Sequence, residues 1–208
     1  CVLFCGKLIH KKRPLDVIAA IERIVRSQSP QNPLHLLFVG SGLLEPAVRE
    51  RCDVRNHSGG VAPGSPAAPS VRPPASFAGF LNQSQICEAY VATDVLALAS
   101  DAGETWGLVV NECMAAGIPA VVSDQCGCAE DLPARLDPRL VFRCGDVEDL
   151  ARALQVALDA DFSPTAVRAV ADRHHLRHTV AAVERLYAES RGAHVPPLQT
   201  ASPEDRAT

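Results

Sequence analysis

No run of apolar residues in this chain approaches the roughly 18 that a membrane-crossing helix needs. An excess of charge of one sign is also missing. With 20 Lys and Arg against 24 Asp and Glu, the formal net charge is only −4, so no global field draws the chain to nucleic acid or an anionic bilayer. Metal-ligand spacing is absent too: of the 8 cysteines, Cys126 and Cys128 form C-x-C, with no C-x-x-C pair and no matching histidine pair. Cys1, Cys5, Cys113 and Cys144 fall in apolar runs, where cysteine acts as a small hydrophobe. Reduced, buried thiols and a reducing, cytoplasmic compartment follow as the expectation. A start methionine is lacking. Cys1 lies inside the apolar run "CVLFCG", which reads as the middle of a sheet, so the chain is expected to be a fragment of something longer, with any leader upstream.

What remains is an ordinary globular composition, 47% apolar and 21% charged over 208 residues, enough for one good core. "CVLFCG" reads as a buried strand closed by Gly6. Pro14 opens a helix carrying the stripe Val17, Ile18, Ile21, Ile24 and Val25. "LHLLFVG" is a second strand ending at Gly40, and "LLEPAVRERC" a short helix. Residues 56–76, rich in Gly, Pro, Ser and Ala, read as a flexible loop insertion. Extended "SFAGF", helical "SQICEAYVA" and extended "DVLALAS" follow. "GLVVNECMAA" is a helix closed by Gly117 with Pro119 beyond it; "PAVVS" and "RLVFRCG" are strands. Asp146 caps "VEDLARALQVALD", whose Val147, Leu150, Leu154 and Leu158 share a face. Three parts are expected: a domain over 1–162, helical structure over 163–190, and a disordered tail over 191–208.

Strand and helix alternate throughout, the pattern of a doubly wound, mainly parallel α/β sheet. Ligands of such sheets bind outside the carboxyl ends of the strands, so chemistry belongs in the loops that follow them. "GKLIHKKRP" places Lys7 and Lys12 beside Lys11 and Arg13, either a phosphate site or a solvated basic turn. "GSGLLEP" invites a dinucleotide fingerprint, but Glu45 stands where the third glycine belongs, and this is the second strand. NAD is therefore excluded, while Gly40 and Gly42 still permit close backbone approach to a ligand. "AGFLNQ" offers Gly79 and a polar turn.

The stretch "DAGETWGLVVNECMAAGIPAVVSD" places Glu104 just outside a helix start and Glu112 inside it, with seven residues between them. A helix start offers unpaired N–H groups and partial positive charge, which suits an anion. Carboxylates suit paired sugar hydroxyls. The alternative is a first-turn dipole complement and a surface glutamate. "RHHLRHTV" sets His174 and His178 on one helix face, either as metal ligands or, more simply, in a solvated basic helix.

Taken together, "FCGKLIHKKRP", "LLFVGSG", "FAGFLNQSQICEAYVATDVLALAS" and "ETWGLVVNECMAAGIPAVVSD" resemble the C-terminal, nucleotide-binding half of GT-B glycosyltransferases, specifically the retaining family 4 enzymes with their E-x7-E motif. The resemblance spans roughly residues 2–160. It implies a Rossmann-like domain and assigns roles. Lys7 and Lys12 would hold the diphosphate of a UDP- or GDP-sugar, Lys7 standing where the family usually has arginine. Glu104 would bind donor sugar hydroxyls and act with the lysines in catalysis. Glu112 would bind the ribose, and Phe80 and Leu81 would lie against the base. Backbone at Gly6, Gly40, Gly42, Gly103, Thr105, Trp106, Gly107 and Leu108 would border the donor, Trp106 replacing the more usual phenylalanine.

The resemblance also implies transfer without a metal or other cofactor; the nearest loop reads Asp101-Ala-Gly, not a DXD carboxylate pair. The acceptor-binding N-terminal half that the resemblance implies is expected to be missing from this chain, and contact with a membrane surface would come through that half. The C-terminal helix would pack on it, leaving Val183, Leu186 and Tyr187 exposed here. A non-catalytic nucleotide-sugar-binding module, or one subunit of a split transferase, is the competing reading. A GT-B epimerase or phosphorylase is weaker, because no pyridoxal-lysine pattern is present.

Overall fold

The computed structural model describes residues 1–27, 34–54 and 72–191. Seven strands form one parallel sheet: β1 Val2–Cys5, β2 Leu36–Val39, β3 Asp53–Val54, β4 Pro74–Gly79, β5 Val95–Leu98, β6 Ala120–Ser123 and β7 Val141–Phe142, in spatial order β3-β4-β2-β1-β5-β6-β7. Successive side chains of a strand point to opposite faces. Val2 and Phe4 therefore enter one core with Val95, Ala97 and Val121, while Leu3 enters the other with Leu96, Leu98, Ala120 and Val122. Both faces are apolar, so both need helices.

Helix α1 (Pro14–Ser27) and helix α6 (Val147–Asp159) cover the first face and pack against each other. Their buried residues, Val17, Ile18, Ile21 and Ile24 with Leu150, Ala153, Leu154 and Ala157, recur at helical spacing. Leu158 of the expected stripe packs at the edge of that core. Helices α3 (Ile86–Val91), α4 (Leu108–Ala115) and α7 (Pro164–Asp172) supply the second core with Tyr90, Val110, Cys113, Met114, Val167 and Val170. Short helices α2 (Glu45–Glu50) and α5 (Pro133–Leu136) complete this unit.

Asp146 caps α6 as the sequence suggested: its carboxylate accepts from the backbone N–H of Glu148 and Asp149. Asp146→Ala should cost about 1 kcal/mol, measurable as a shifted urea midpoint at unchanged slope.

The chain divides into two compact units, the first running from Cys1 to Ala171 and the second beginning at Asp172. The first continues past the expected boundary at 162 because Val167, Val170 and Ala171 of α7 are buried in the second core. The second contains α8 (Leu176–Ser190), capped by His175, whose ring accepts from the Arg177 N–H. None of its residues is buried, and Leu176, Val180, Val183, Leu186 and Tyr187 are exposed.

The expected loop 56–76 ends sooner than its composition suggested. Pro74 begins β4, at the strand-start position where a missing N–H is tolerated. Positions 56–71 of that loop, and the tail from 192, lie outside the described residues.

Candidate functional site

Strand order turns back at β1. From it the chain proceeds to β2, out to the edge strand β3 and back in to β4 on one side, then restarts at β5 and proceeds to β6 and β7 on the other. A crevice must open where the connections diverge. Such a cleft, of ≈ 740 Å³, lies at the carboxyl ends of β1, β2 and β4 and the start of α4.

Eleven residues singled out in the sequence line it: Gly6, Lys7, Lys12, Gly40, Gly42, Phe80, Leu81, Glu104, Gly107, Leu108 and Glu112. Lys7 is exposed at its rim, and Phe80 and Leu108 leave 84% and 70% of their surface uncovered. Cys5, Ser41, Asn82, Gln83 and Tyr90 are on the lining as well.

Gly103, Thr105 and Trp106 are not on this lining. Gly103 borders a neighbouring depression with Asp101, Asp124 and Arg143, and its carbonyl accepts from Lys11 Nζ at 3.2 Å. The Thr105 carbonyl is pressed against Gly127, where an added Cβ would stand 2.0 Å from it. Trp106 turns toward the second core, its indole N–H donating to Asn111 Oδ1 at 2.6 Å and its carbonyl accepting from the Cys128 N–H. The backbone of the loop after β5 is thus braced from behind by the loop after β6.

Lys12 reaches the cleft by a sharp change of direction. A 3-10 turn over His10–Lys12 ends at Arg13, a non-glycine residue at φ 50°, before Pro14 starts α1. That left-handed position carries a steric cost. The Arg13 guanidinium is tied to Asp16 at 2.6 Å, an ion pair that also raises its pKa.

Three contacts then join this turn to the loop after β5: the Asp101 N–H donates to the Lys11 carbonyl, Lys11 Nζ donates to Gly103 O, and the Lys12 ammonium pairs with Glu104 Oε2. Lys12 and Glu104 side chains are each only 17% exposed, so the pair is largely shielded from water. Ser100 supports it from below. Its hydroxyl lies 3.5 Å from Glu104 Oε2, and its carbonyl accepts from Ser123 Oγ at 2.6 Å. Lys12 and Glu104, assigned to different parts of a ligand by the resemblance, therefore form one unit.

Gly40 and Gly42 hold loops together. A Cβ on Gly40, which sits at φ +116°, would lie 2.2 Å from Gly6 O, and one on Gly42 would lie 2.5 Å from Leu8 O. The Gly6 N–H donates to Val39 O, Leu8 N–H to Ser41 O, and Gly40 N–H to Gly79 O. Close approach is real at both glycines, but the approaching group is the neighbouring backbone.

Helix α4 begins at Gly107, whose φ of +103° turns the chain into the helix. Glu112 projects from the next turn, exposed on the cleft wall, and accepts from the Tyr90 hydroxyl at 2.6 Å. Burial, then the hydrogen bond to Glu112, raises the Tyr90 pKa, so the phenol stays protonated and donates. Cys5 lies beside this pair, its thiol pushed up to about 11, chiefly by burial. Burial likewise raises Cys126 to about 11 and Cys128 to about 12, values that describe unreactive thiols. All eight cysteines are free. His178 is bonded to the Asp172 carbonyl and His175 to the α8 cap, and no group of three or more metal-binding side chains occurs among the described residues.

A basic turn, a helix start and two glutamates thus meet in one cleft at the switch point of a Rossmann-like parallel sheet. The chain belongs to the glycosyl transferases group 1 family, whose model matches residues 1–160. It is 36% identical over 87 residues to a sulfoquinovosyl transferase of Arabidopsis thaliana, a stretch covering 41% of this chain and 17% of that protein.

The fold matches the catalytic domain of a cholesterol-alpha-glucosyltransferase from Helicobacter pylori (TM-score 0.63, 17% identity, 84% of this chain and 98% of that one). It also matches a sucrose-phosphate synthase from Thermosynechococcus elongatus (TM-score 0.61, 21% identity, 93% and 46%). A third match is Anabaena HepE in complex with UDP (TM-score 0.60, 19% identity, 92% and 48%). The chain thus spans under half the length of the last two and a small part of the plant protein. Among the described residues no helix is long and apolar enough to cross a membrane.

Proposed function

We propose that this chain is the donor-binding half of a retaining, family 4-type glycosyltransferase that takes a nucleoside diphosphate sugar and needs no metal. The observation that carries the reading is the convergence of the Lys12–Glu104 pair, the start of α4 and Glu112 on one cleft. That a solved structure of the same fold was obtained with UDP supports a nucleotide ligand.

When a glycosyl bond to a diphosphate breaks, negative charge gathers on the departing phosphate oxygen. Lys12, held by Glu104, and the N–H groups opening α4 are positive groups fixed before that charge appears, and Lys7 at the rim adds a further cation. Such preorganised groups lower the barrier without reorganising. Lys7 supplies a point charge where a guanidinium would supply a fork. Glu104, held by Lys12 and Ser100, is placed to accept from sugar hydroxyls and to fix the sugar's orientation. Glu112 accepts from the ribose, and Phe80 with Leu81 offers an apolar edge to the base.

Calorimetric titration with UDP, GDP and ADP tests the reading. Binding of at least one in the micromolar to millimolar range is expected, and no heat from any at millimolar concentration would count against it. Glu112→Ala should weaken nucleoside diphosphate binding about tenfold, the loss of one charged hydrogen bond. Glu104→Ala should change affinity for the nucleotide sugar more than for the bare diphosphate.

A further inference from the structure

Tyr90 has no role in the scheme above, yet it lines the cleft. The residue is 2% exposed and packs in the second core with Leu3 and Cys113. A tyrosine buried this deeply needs a partner for its hydroxyl, and the partner is Glu112 Oε2 at 2.6 Å, 22 residues along the chain. Glu112 itself is exposed on α4. An exposed glutamate samples many rotamers, and a ligand that uses it must first freeze them. Here one carboxylate oxygen is already held by a donor that rises from the packed core.

From this geometry we infer that Tyr90 is a positioning residue for the nucleotide. By holding Oε2 it presents the remaining acceptor capacity of Glu112 to the vicinal diol of a ribose. A carboxylate has about four lone-pair sites; Tyr90 takes one and the others are free to accept from two adjacent hydroxyls. The pair therefore sets the preference for ribonucleotides over 2′-deoxyribonucleotides. Phenylalanine at position 90 would keep the packing and leave Glu112 unheld. The inference rests on the donor-site reading, and its test separates the two.

The experiment measures dissociation constants of UDP, GDP, dUDP and dGDP for the wild-type chain, Tyr90→Phe, Glu112→Ala and the double variant, with the melting temperature of each. The wild type should prefer the better-bound ribonucleotide over its deoxy counterpart by about tenfold, the worth of one charged hydrogen bond. Tyr90→Phe should shrink that preference to about twofold or less, chiefly by weakening the ribonucleotide. In the Glu112→Ala background the same change should alter nothing, because the group it positions is gone. An unchanged preference in Tyr90→Phe would overturn the inference and leave the donor site standing. So would equal weakening of both nucleotides, the signature of general loosening, or a wild type without preference. Failure of the wild type to bind UDP or GDP at all would overturn both.

Discussion

Lys12→Met is expected to weaken nucleoside diphosphate binding about 100-fold, or ~2.7 kcal/mol, near the upper end for a charged hydrogen bond. The same variant should lower the melting temperature of the ligand-free chain. Lys12 and Glu104 are each 17% exposed, and removing the cation leaves the carboxylate with Ser100 Oγ at 3.5 Å as its remaining side-chain contact in this cluster. An under-satisfied, mostly buried charge costs about 1–3 kcal/mol, or roughly 3–10 °C for a unit of this size. The two effects separate in Lys12→Met/Glu104→Gln. With no charge left unpaired, the melting temperature should return toward that of the wild type. Affinity should not, because the phosphate still lacks its cation. Calorimetric unfolding and nucleotide titration on the three proteins measure both quantities. Recovery of affinity in the double variant would mean that Lys12 serves only to neutralise Glu104.

Gly40→Ala should be more damaging to the fold. Its Cβ would stand 2.2 Å from Gly6 O and 2.9 Å from Gly6 C, backbone atoms that cannot move aside as a side-chain tip can. The residue also sits at φ +116°, which alanine disfavours. Overpacking and the wrong backbone region together cost about 3–5 kcal/mol, a fall in melting temperature on the order of 10 °C. Because the loops after β1, β2 and β4 are joined through Val39, Gly40 and Gly79, nucleotide affinity should fall with stability. Gly79→Ala provides the contrast. Its φ is +67° but nothing lies within 4 Å of the added Cβ, so the cost should stay near ~1 kcal/mol. Equal losses in the two variants would show that backbone angle, and not loop-on-loop contact, governs this edge of the sheet.

Much of this arrangement was legible before any coordinates. The continuous apolar runs in "CVLFCG" and "DVLALAS" and the helical stripe after Pro14 are local signals, and they place β1, β5 and α1. Asp146 was readable because capping involves only the next three residues. Strand β3 and helix α5, of two and four residues, are too short for any periodicity to register.

What escaped the sequence was pairing across distance. Lys12 meets Glu104 92 positions away, and Tyr90 meets Glu112 across two helices, so residue type named the participants without saying which would touch. The glycines of "GSG" suggest, from sequence alone, close backbone approach to a ligand. Their actual neighbours, Gly6 and Leu8, belong to a loop more than thirty residues earlier. The one available hint for Tyr90 was chemical: a phenol on an otherwise core-facing helix position must find an acceptor.

The most direct measurement is an amide nitrogen–proton correlation spectrum of the chain titrated with UDP and with GDP. If a single nucleotide lies across the cleft, the backbone amides of Gly6, Lys7, Gly107, Leu108 and Glu112 should shift together along one saturation curve. Amides at the opposite, amino-terminal edge of the sheet, such as those of Asp94 and Ile118, should stay still. Shifts confined to the depression around Asp101, Asp124 and Arg143, or separate curves for the Lys7 and Glu112 sides, would mean that no one ligand spans these groups, and the donor-site assignment would be wrong.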